Sequence, residues 1–372
     1  MNIALVVSSY SPVPGGVESH VRHLAENLAD RGHDVTVVTH ALAPGTADRE
    51  FLNRVRVVRL ALTVRARNYR FSLPLWRYLR ASSADFDVVH VHSYHTVLPL
   101  MVAAAGPSTA VFTPHYHGVG HTPFRALLHQ PYRWVARRAV RRMAAIICVS
   151  KAEASHFLRD FPEMKDRVAT VYNGTDLRAA SPEALDATPV TSADVLFVGR
   201  LEAYKGVGSI IRSLPFARPG TRLVVIGQGP ARAPLLSLAE DVGVADRVAF
   251  LGAVTDSELL AATARAGALC TMSEQEAFGL TIADAVTQGL PVVASDIPAH
   301  AEVAELAGSA GRIELVDLDA SPEVLAAKIA EGIGAGRSLP SAVMPSWSQV
   351  AERTEGVYAQ ALAAGVPRPA TS

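Results

Sequence analysis

Two hydrophobic patterns alternate along this 372-residue chain. Short apolar runs, NIALVVS, DVTVVTH, DVVHVHS and AAIICVS, predict buried strands, and the amphipathic stretch VESHVRHLAENLADRG predicts a helix that ends at Gly32. Apolar runs without polar alternation are typical of parallel strands that helices cover on both faces. The first half is therefore predicted to be an α/β domain with a doubly wound sheet.

The second half repeats this order. Its strand candidates are DVLFVGR, RLVVIGQG, RVAFLGA, ALCTMS and PVVASD, with helical patterns between them. The polar segment 173–194, rich in Pro, Ser and Thr, indicates a linker. We predict four parts: a first domain over residues 1–175, a second over 176–345, a C-terminal helix over 346–365 and a disordered tail over 366–372.

Composition agrees with two domains, because 372 residues exceed one ordinary core. The two cysteines, Cys148 and Cys270, lie in apolar runs and imply no disulfide framework. No Lys or Arg precedes Arg22, and the first apolar run is too short for a signal peptide or a membrane span. We therefore predict a cytoplasmic protein.

The halves carry opposite net charge although the whole chain is neutral. Residues 1–172 hold 21 Lys and Arg against 12 Asp and Glu, whereas residues 173–372 hold 14 against 23. Within the first half, YRWVARRAVRR places five cations on or beside one helical stripe: Arg133, Arg137, Arg138, Arg141 and Arg142. Peripheral contact with an anionic membrane, at its inner surface, is one interpretation, and a solvated helix face is the other. No nucleic-acid-binding motif is present.

Two cations follow the first strand of the second half. In FVGRLEAYKG, Arg200 comes directly after the strand end, and Lys205 lies five residues later, before a helix. Two cations at the carboxyl end of a strand suit a pyrophosphate, because charge-assisted hydrogen bonds are the strong ones. A pair of solvated loop cations is the alternative.

The stretch SEQEAFGLTIADAVTQG combines a helix start with two acids. A helix that begins near Leu280 directs its free N–H groups towards Gly279, where an anion binds well. Glu276 in the preceding loop and Asp284 inside the helix offer acceptors to sugar or ribose hydroxyls. For Asp284 a solvated helix acid is the alternative.

An ordered set of motifs then gives the chain a family resemblance. PGGVESHVRHLAENLADRGHDVTVVT, DVVHVHS, TPHYHG, ICVSKAE and VYNGTD are followed by FVGRLEAYKG, IGQGPARAPL, FLGAVTDSELLA and the stretch with two acids. The chain thereby resembles the retaining nucleotide-sugar glycosyltransferases of family 4. The resemblance implies the GT-B fold, with two doubly wound Rossmann-like domains facing a central cleft and a C-terminal helix that crosses back to the first domain. The first domain would bind the acceptor and the second the nucleotide sugar.

The resemblance also implies roles for the matched residues. Arg200 and Lys205 match the pair that holds the donor diphosphate. The other implied diphosphate contacts are Gly16, Gly279 and Leu280. His115 and Glu276 match residues that face the transferred sugar, and with the two cations they form the implied catalytic set. Asp284 would hold the ribose hydroxyls. The nucleobase pocket would be lined by Gly252 and Val254.

The implied reaction transfers a hexosyl-type sugar from a nucleoside diphosphate sugar, UDP favoured over GDP, to an acceptor hydroxyl with retention. Asp284 stands where the family usually has Glu, which shortens the reach by about 1.5 Å. After VVASD the chain has Pro298-Ala299 and then Glu302 where the family often has Gly-Gly. These departures affect ribose and phosphate contacts rather than the class of reaction.

No cofactor and no metal are expected. His115, His117 and His121 lie close in sequence, but no third ligand with suitable spacing accompanies the first two. The sequence favours a sugar-facing His115 over a structural histidine, and both over a metal ligand. The Asp-x-Asp pairs at 85–87 and 317–319 are interpreted as solvated acids.

The acceptor stays open among inositol or other lipid-linked molecules, antibiotic-like aglycones and polysaccharide ends. Loops 41–80 and 115–135 are expected to contact it, through residues that include Arg65, Arg67, Arg70, Tyr116 and His121. A GT-B sugar-nucleotide epimerase and a non-catalytic nucleotide-sugar-binding protein are the alternative functions. A dinucleotide-dependent dehydrogenase would need Gly-x-Gly-x-x-Gly after the first strand, and SSYSPVPGG lacks it.

Overall fold

The chain divides into two compact units. The computed structural model describes residues 1–42, 48–65, 70–116, 134–176, 182–338 and 344–364. The first unit comprises Met1–Gly174 together with Trp347–Ser372, and the second comprises Thr175–Ser346. The C-terminal helix therefore belongs to the first unit, as the family resemblance implied. The predicted tail over 366–372 lies outside the described residues.

The first unit is built on an eight-stranded sheet. Its strands are β1 (Asn2–Val6), β2 (Asp34–His40), β3 (Arg49–Leu52), β4 (Val55–Leu60), β7 (Val88–His92), β8 (Ala110–Thr113), β9 (Ala145–Cys148) and β10 (Val168–Thr170). They lie in the order β10-β9-β8-β7-β1-β2-β4-β3, and all neighbours are parallel apart from β3 and β4. A separate antiparallel pair consists of β5 (Val64–Arg65) and β6 (Arg70–Phe71).

Helices cover this sheet. They are α1 (Gly16–Asp30), α2 (Leu73–Ser82), α3 (Leu98–Ala105), α4 (residues 134–140), α5 (Lys151–Asp160) and α13 (Trp347–Ala364). Helix α13 packs on α1, and Arg31 at the end of α1 forms a 2.7 Å ion pair with Glu355. The central strand β1 is apolar because helices cover it on both faces, and its side chains from Ile3 to Val6 are fully buried.

The second unit has a wholly parallel sheet of six strands. They are β11 (Asp194–Val198), β12 (Arg222–Ile226), β13 (Val248–Gly252), β14 (Ala268–Thr271), β15 (Val292–Ser295) and β16 (Ile313–Val316), in the order β13-β12-β11-β14-β15-β16. Its helices are α6 (Pro182–Ala187), α7 (Val207–Ser213), α8 (Arg232–Asp241), α9 (Asp256–Arg265), α10 (Leu280–Thr287), α11 (Pro298–Ala307) and α12 (Pro322–Ala335). Across the described part of the chain, no helix is both long and apolar enough to cross a membrane.

The nine predicted strands are confirmed, and the described residues also form β3, β4, β5, β6, β8, β10 and β16, which were not predicted. The edge strand β16 escaped the sequence pattern because Glu314 and the short length weaken its apolar signal. Helix α6 lies inside the segment predicted as a linker, where Arg265 donates a hydrogen bond to the Leu185 carbonyl at 2.9 Å. That segment is therefore not irregular throughout.

Both sheets reverse their strand order at one point. In the first unit the reversal separates β1 from β7, and in the second it separates β11 from β14. The connections that leave two such strands turn to opposite faces of the sheet, which opens a crevice at their carboxyl ends. These two crevices are where the fold places ligand-binding loops.

Candidate functional site

A charged pair lies at the crevice of the second unit. Lys205 ends a short 3₁₀ turn (Ala203–Lys205) after β11, and Glu276 lies in the loop between β14 and α10. The Lys205 Nζ and Glu276 Oε1 atoms are 2.5 Å apart, and the two side chains are 16% and 22% exposed. The fold thus brings together two predicted site residues that are 71 positions apart.

Glu276 is held as a carboxylate. Burial raises its pKa, but the Lys205 ammonium, the neighbouring His300 and a hydrogen bond with Ser273 outweigh burial and keep the pKa below its usual range. The charged form is therefore present at neutral pH, with lone pairs suited to sugar hydroxyls.

His300 also belongs to this site, although no sequence motif marks it. It lies in the first turn of α11, fully buried, and its Nδ1 is 2.9 Å from the Ser295 carbonyl. Burial lowers its pKa, against the opposing effect of Glu276, so the ring is neutral. The carbonyl requires a proton on Nδ1, which leaves the Nε2 lone pair available as an acceptor.

Two glycines let the backbone approach closely enough to form the site. Gly206 follows Lys205 with φ +69°, and a Cβ there would lie 2.0 Å from the Met272 carbonyl oxygen. Gly279 precedes α10 with φ +114°, and a Cβ there would lie 3.3 Å from the His300 ring. Any other residue at these positions would displace the Lys205 loop or the start of α10.

Arg200 is more open to solvent than Lys205. Its side chain is 64% exposed and forms a 3.0 Å ion pair with Glu202. Lys205 lies over the ring of Tyr204, with its Nζ 5.4 Å from the ring centroid. Burial raises the pKa of Tyr204, and Glu276 and Glu202 raise it further, whereas Lys205 and Arg200 lower it.

The remaining predicted donor contacts also lie at the carboxyl edge of the second sheet. Leu280 begins α10, and Asp284 is exposed one turn further along that helix. Gly252 ends β13, where its carbonyl accepts a 2.7 Å hydrogen bond from Gly227 N–H, and Val254 is half-buried in the next loop. Their contacts with ribose and nucleobase stay predictions.

Gly16 lies in the first unit, as the exposed first residue of α1. Glu18 reaches back to this helix end: a Cβ on Gly15 would lie 2.0 Å from its Oε2, and Ser9 donates a hydrogen bond to its carboxylate. A carboxylate therefore stands near the helix N-terminus where a phosphate was expected. The phosphate contact at Gly16 stays a prediction.

Three histidines converge at the crevice of the first unit. His20 comes from α1, His92 ends β7, and His115 follows β8 with an unusual φ of +47°. One nitrogen from each of the three rings lies within 4.8 Å of the other two. His20 and His92 are distant from His115 in sequence, so no spacing pattern connects the three, and His117 and His121 lie outside the described residues. The expectation that no metal is required stays a prediction.

Burial makes these rings neutral. Burial lowers the pKa of His20 to about 4. The 2.7 Å hydrogen bond between His20 Nδ1 and Asn173 Oδ1 raises this pKa, but by less than burial lowers it. Burial, and then the neighbouring histidines, hold the pKa values of His92 and His115 well below the usual range. His90 lies beside the group, with its ring centroid 4.2 Å from that of His92, and its Nδ1 is 2.7 Å from the Tyr358 hydroxyl.

A buried carboxyl group holds the loop that carries His115. Glu153 accepts hydrogen bonds from Tyr116 N–H at 2.5 Å and from Val149 N–H at 2.6 Å. Burial raises its pKa to about 8, although both N–H donors favour the carboxylate. Tyr116 itself is fully buried and its hydroxyl donates to Asp160, so the expected contact of this side chain with an acceptor is wrong.

The basic stripe is largely occupied by contacts within the protein. Arg137 and Arg141 pair with Glu163 at 3.2 and 3.1 Å, and Arg142 donates to the Ala103 carbonyl at 3.3 Å. Arg138 lies 5.7 Å from the ring of the exposed Trp134. Arg133, Arg67 and the side chain of Arg65 lie outside the described residues, and Arg70 is half-buried in β6.

Two family models match the chain. The model described as Glycosyltransferase Family 4 matches residues 14–179, and the model described as Glycosyl transferases group 1 matches residues 186–333. The phosphatidyl-myo-inositol mannosyltransferase of Mycobacterium tuberculosis is 30% identical over 346 residues, which cover 90% of this chain and 86% of that protein.

Solved structures share the fold. A sucrose-phosphate synthase from Thermosynechococcus elongatus superposes with a TM-score of 0.77 and 20% identity, covering 98% of this chain and all of the other (100%). Anabaena HepE in complex with UDP and glucose superposes with a TM-score of 0.76 and 19% identity, covering 96% of this chain and 99% of that one. At these identities the likeness shows the fold alone.

Proposed function

The chain belongs to glycosyltransferase family 4 and has the GT-B fold, and from this premise we propose a retaining transfer of a hexosyl-type sugar. The donor in this proposal is a nucleoside diphosphate sugar and the acceptor a hydroxyl group. The observation that supports the proposal is the Lys205–Glu276 pair at the reversal of the second sheet, where a cation suited to phosphate lies beside a carboxylate suited to sugar hydroxyls.

Rate acceleration in this proposal comes mainly from the departing diphosphate. Negative charge grows on the leaving phosphate in the transition state, where preorganised cations and N–H donors are worth most. Lys205 and Arg200 supply the cations, and the start of α10 beside Gly279 supplies free N–H groups. No protein nucleophile is required, since the leaving phosphate itself helps to deprotonate the acceptor on the face that it leaves.

Glu276, His300 and His115 are proposed to orient the sugar. The Glu276 carboxylate accepts from hydroxyl groups, and the neutral His300 beside it offers one more acceptor. His115 is assigned to the sugar by the family resemblance. Asp284 is assigned to the ribose, which its exposure on α10 permits.

UDP is the preferred donor nucleotide in this proposal. HepE, whose fold is shared, was solved with UDP and glucose. The mannosyltransferase relative, by its name, acts on phosphatidyl-myo-inositol, so an inositol-containing lipid leads the acceptors to be tested. Peripheral membrane contact through α4 rests on Arg138 and the exposed Trp134, because Arg137, Arg141 and Arg142 already have protein partners.

A donor panel tests the proposal. UDP-, GDP- and dTDP-hexoses are incubated with the protein, with and without phosphatidylinositol vesicles, free inositol, hexose phosphates and oligosaccharides. We expect acceptor-dependent nucleotide release, and product NMR showing the donor's anomeric configuration. Conversion of the donor without acceptor would identify an epimerase instead. Donor binding without turnover in any combination would identify a binding protein.

A further inference from the structure

The three histidines of the first unit have the geometry of a metal site. The His92 Nδ1 and His115 Nε2 atoms are 3.3 Å apart. Two nitrogens bound to one tetrahedral Zn²⁺ lie roughly 3.3 Å apart, since each Zn–N bond is about 2.0–2.1 Å. One nitrogen of His20 lies within 4.8 Å of its counterparts on the other two rings. A small shift of the rings towards one another would therefore let all three nitrogens bind one ion.

The ring of His20 has a nitrogen that lacks a partner. Its Nε2 atom is buried and has no hydrogen-bond partner among the described residues, and the side chain is 3% exposed. His92 Nε2 is also unpartnered among these residues, but it is the ring nitrogen opposite the Nδ1 that faces His115, so it does not bear on this site. A buried imidazole nitrogen without a partner is unfavourable, and a bound ligand would relieve that cost.

Asn173 prepares His20 for such a ligand. Its Oδ1 accepts from His20 Nδ1 at 2.7 Å, which requires the proton on Nδ1 and leaves the Nε2 lone pair free. Metal-bound histidines are commonly oriented in this way by an acceptor behind the ring.

We propose that His20, His92 and His115 bind one late first-row transition-metal ion, with Zn²⁺ as the representative case. Imidazole donors favour Zn²⁺, Co²⁺, Ni²⁺ and Cu²⁺ over Mg²⁺ and Ca²⁺. Three histidines leave a fourth position of a tetrahedral ion for water. This ion is not a catalytic requirement, because the proposed transfer relies on Lys205, Arg200 and the start of α10.

A metal ion bound to the three histidines would affect sugar transfer, and this effect, unlike the site itself, rests on the proposed function. His115 cannot ligate a metal and contact the donor sugar through the same nitrogen. Bound Zn²⁺ would therefore inhibit transfer, and a chelator would restore it.

The test is a metal titration of the full chain after chelator treatment. Co²⁺ is added while the d–d absorption near 500–650 nm is recorded, and Zn²⁺ binding is measured by calorimetry. We expect one site per chain with the intense bands of tetrahedral Co²⁺, and displacement of Co²⁺ by Zn²⁺. Absence of a stoichiometric site would overturn the proposal.

Variants locate the site. His92→Ala should abolish the Co²⁺ bands, and Asn173→Ala should weaken binding by about 10-fold or more. His156→Ala, on the half-buried face of α5 outside the cluster, is the matched control and should bind like wild type. Equal binding by wild type and His92→Ala would exclude this site. His92→Gln replaces His92→Ala if circular dichroism shows that the alanine variant is unfolded.

The experiments can reject the proposed transfer reaction and the proposed metal site independently of each other. If no donor and acceptor pair gives turnover, the Co²⁺ spectrum still decides the metal site. If the metal binds and transfer is unaffected by Zn²⁺, the inhibitory role is wrong while the site stands.

Discussion

The two crevices occupy the same topological position but differ in their electrostatics. In the second unit a cation and an anion form a partly buried ion pair between the loops after β11 and β14. In the first unit, three neutral imidazoles meet at the loops after β1, β7 and β8. One crevice carries opposite charges, which the proposed diphosphate site uses, and the other carries neutral imidazoles, which the proposed metal site uses. A shared sheet topology fixes where ligands approach, whereas the side chains decide which ligands they are.

Mutations in the charged crevice should lower kcat more than mutations in the uncharged crevice. Lys205→Ala is expected to lower kcat by about 10²–10³-fold, because the transition state loses a preorganised cation. Arg200→Ala, at a more exposed position, should fall at the lower end of that range. Steady-state kinetics with the best donor measure both, and Lys328→Ala, a surface ion-pair lysine on α12, serves as control. Full activity of Lys205→Ala would remove the charged crevice from the reaction.

Mutations beside the uncharged crevice should instead lower the free energy of unfolding. Glu153→Gln keeps one acceptor for the Tyr116 and Val149 N–H groups and turns an NH₂ group towards the other. An unpaired buried N–H costs about 1–3 kcal/mol, so the free energy of unfolding should fall by that amount. Urea denaturation at pH 6 measures it. Glu163→Gln, which loses only surface ion pairs, should change stability by less than about 1 kcal/mol. Equal effects would show that Glu153 has no special structural role.

The first unit should also become less stable at acidic pH. Burial lowers the pKa of His40 to about 4, so the unfolded chain binds this proton more tightly than the folded one. The resulting loss of unfolding free energy is negligible well above pH 6.5 and grows as the pH falls towards 4. It reaches roughly 2 kcal/mol at pH 5. Denaturation of wild type and His40→Gln at pH 7.5 and pH 5 measures it. The variant should lose less stability between these values, and parallel pH curves would contradict the assignment.

The smallest effect is expected at Asp284. Its exposure predicts that Asp284→Asn raises the donor KM by a few-fold, about 1 kcal/mol, with little change in kcat or folding. Donor titrations at saturating acceptor measure the change, and Asp241→Asn, an exposed acid at the end of α8, is the control. An unchanged KM would favour a solvated acid at position 284.

The charged crevice was accessible to sequence reasoning, and the histidine cluster was not. Arg200, Lys205 and Glu276 each follow an apolar strand, and carboxyl ends of parallel strands share one edge, so their proximity could be inferred. His300 was missed because an α11 residue after an ordinary strand carries no local signal.

The histidine cluster depends on strand order instead of spacing. His20, His92 and His115 meet because β1, β7 and β8 are neighbours and α1 packs beside them, which no local pattern encodes. The one available signal was in DVVHVHS, where two polar residues interrupt a strand that is otherwise apolar, and both are fully buried. Edge strand β16 was missed for the opposite reason, since Glu314 makes it look unlike a buried strand.

The Lys205–Glu276 contact also bears on how a reaction cycle would end. In this contact each charge satisfies the other. If the proposed function holds, an intact donor would compensate both partners, with its phosphate on the lysine and its sugar hydroxyls on the glutamate. The nucleotide that is left after transfer would compensate only the lysine. Re-formation of the ion pair would then compete with the bound nucleotide and speed its release.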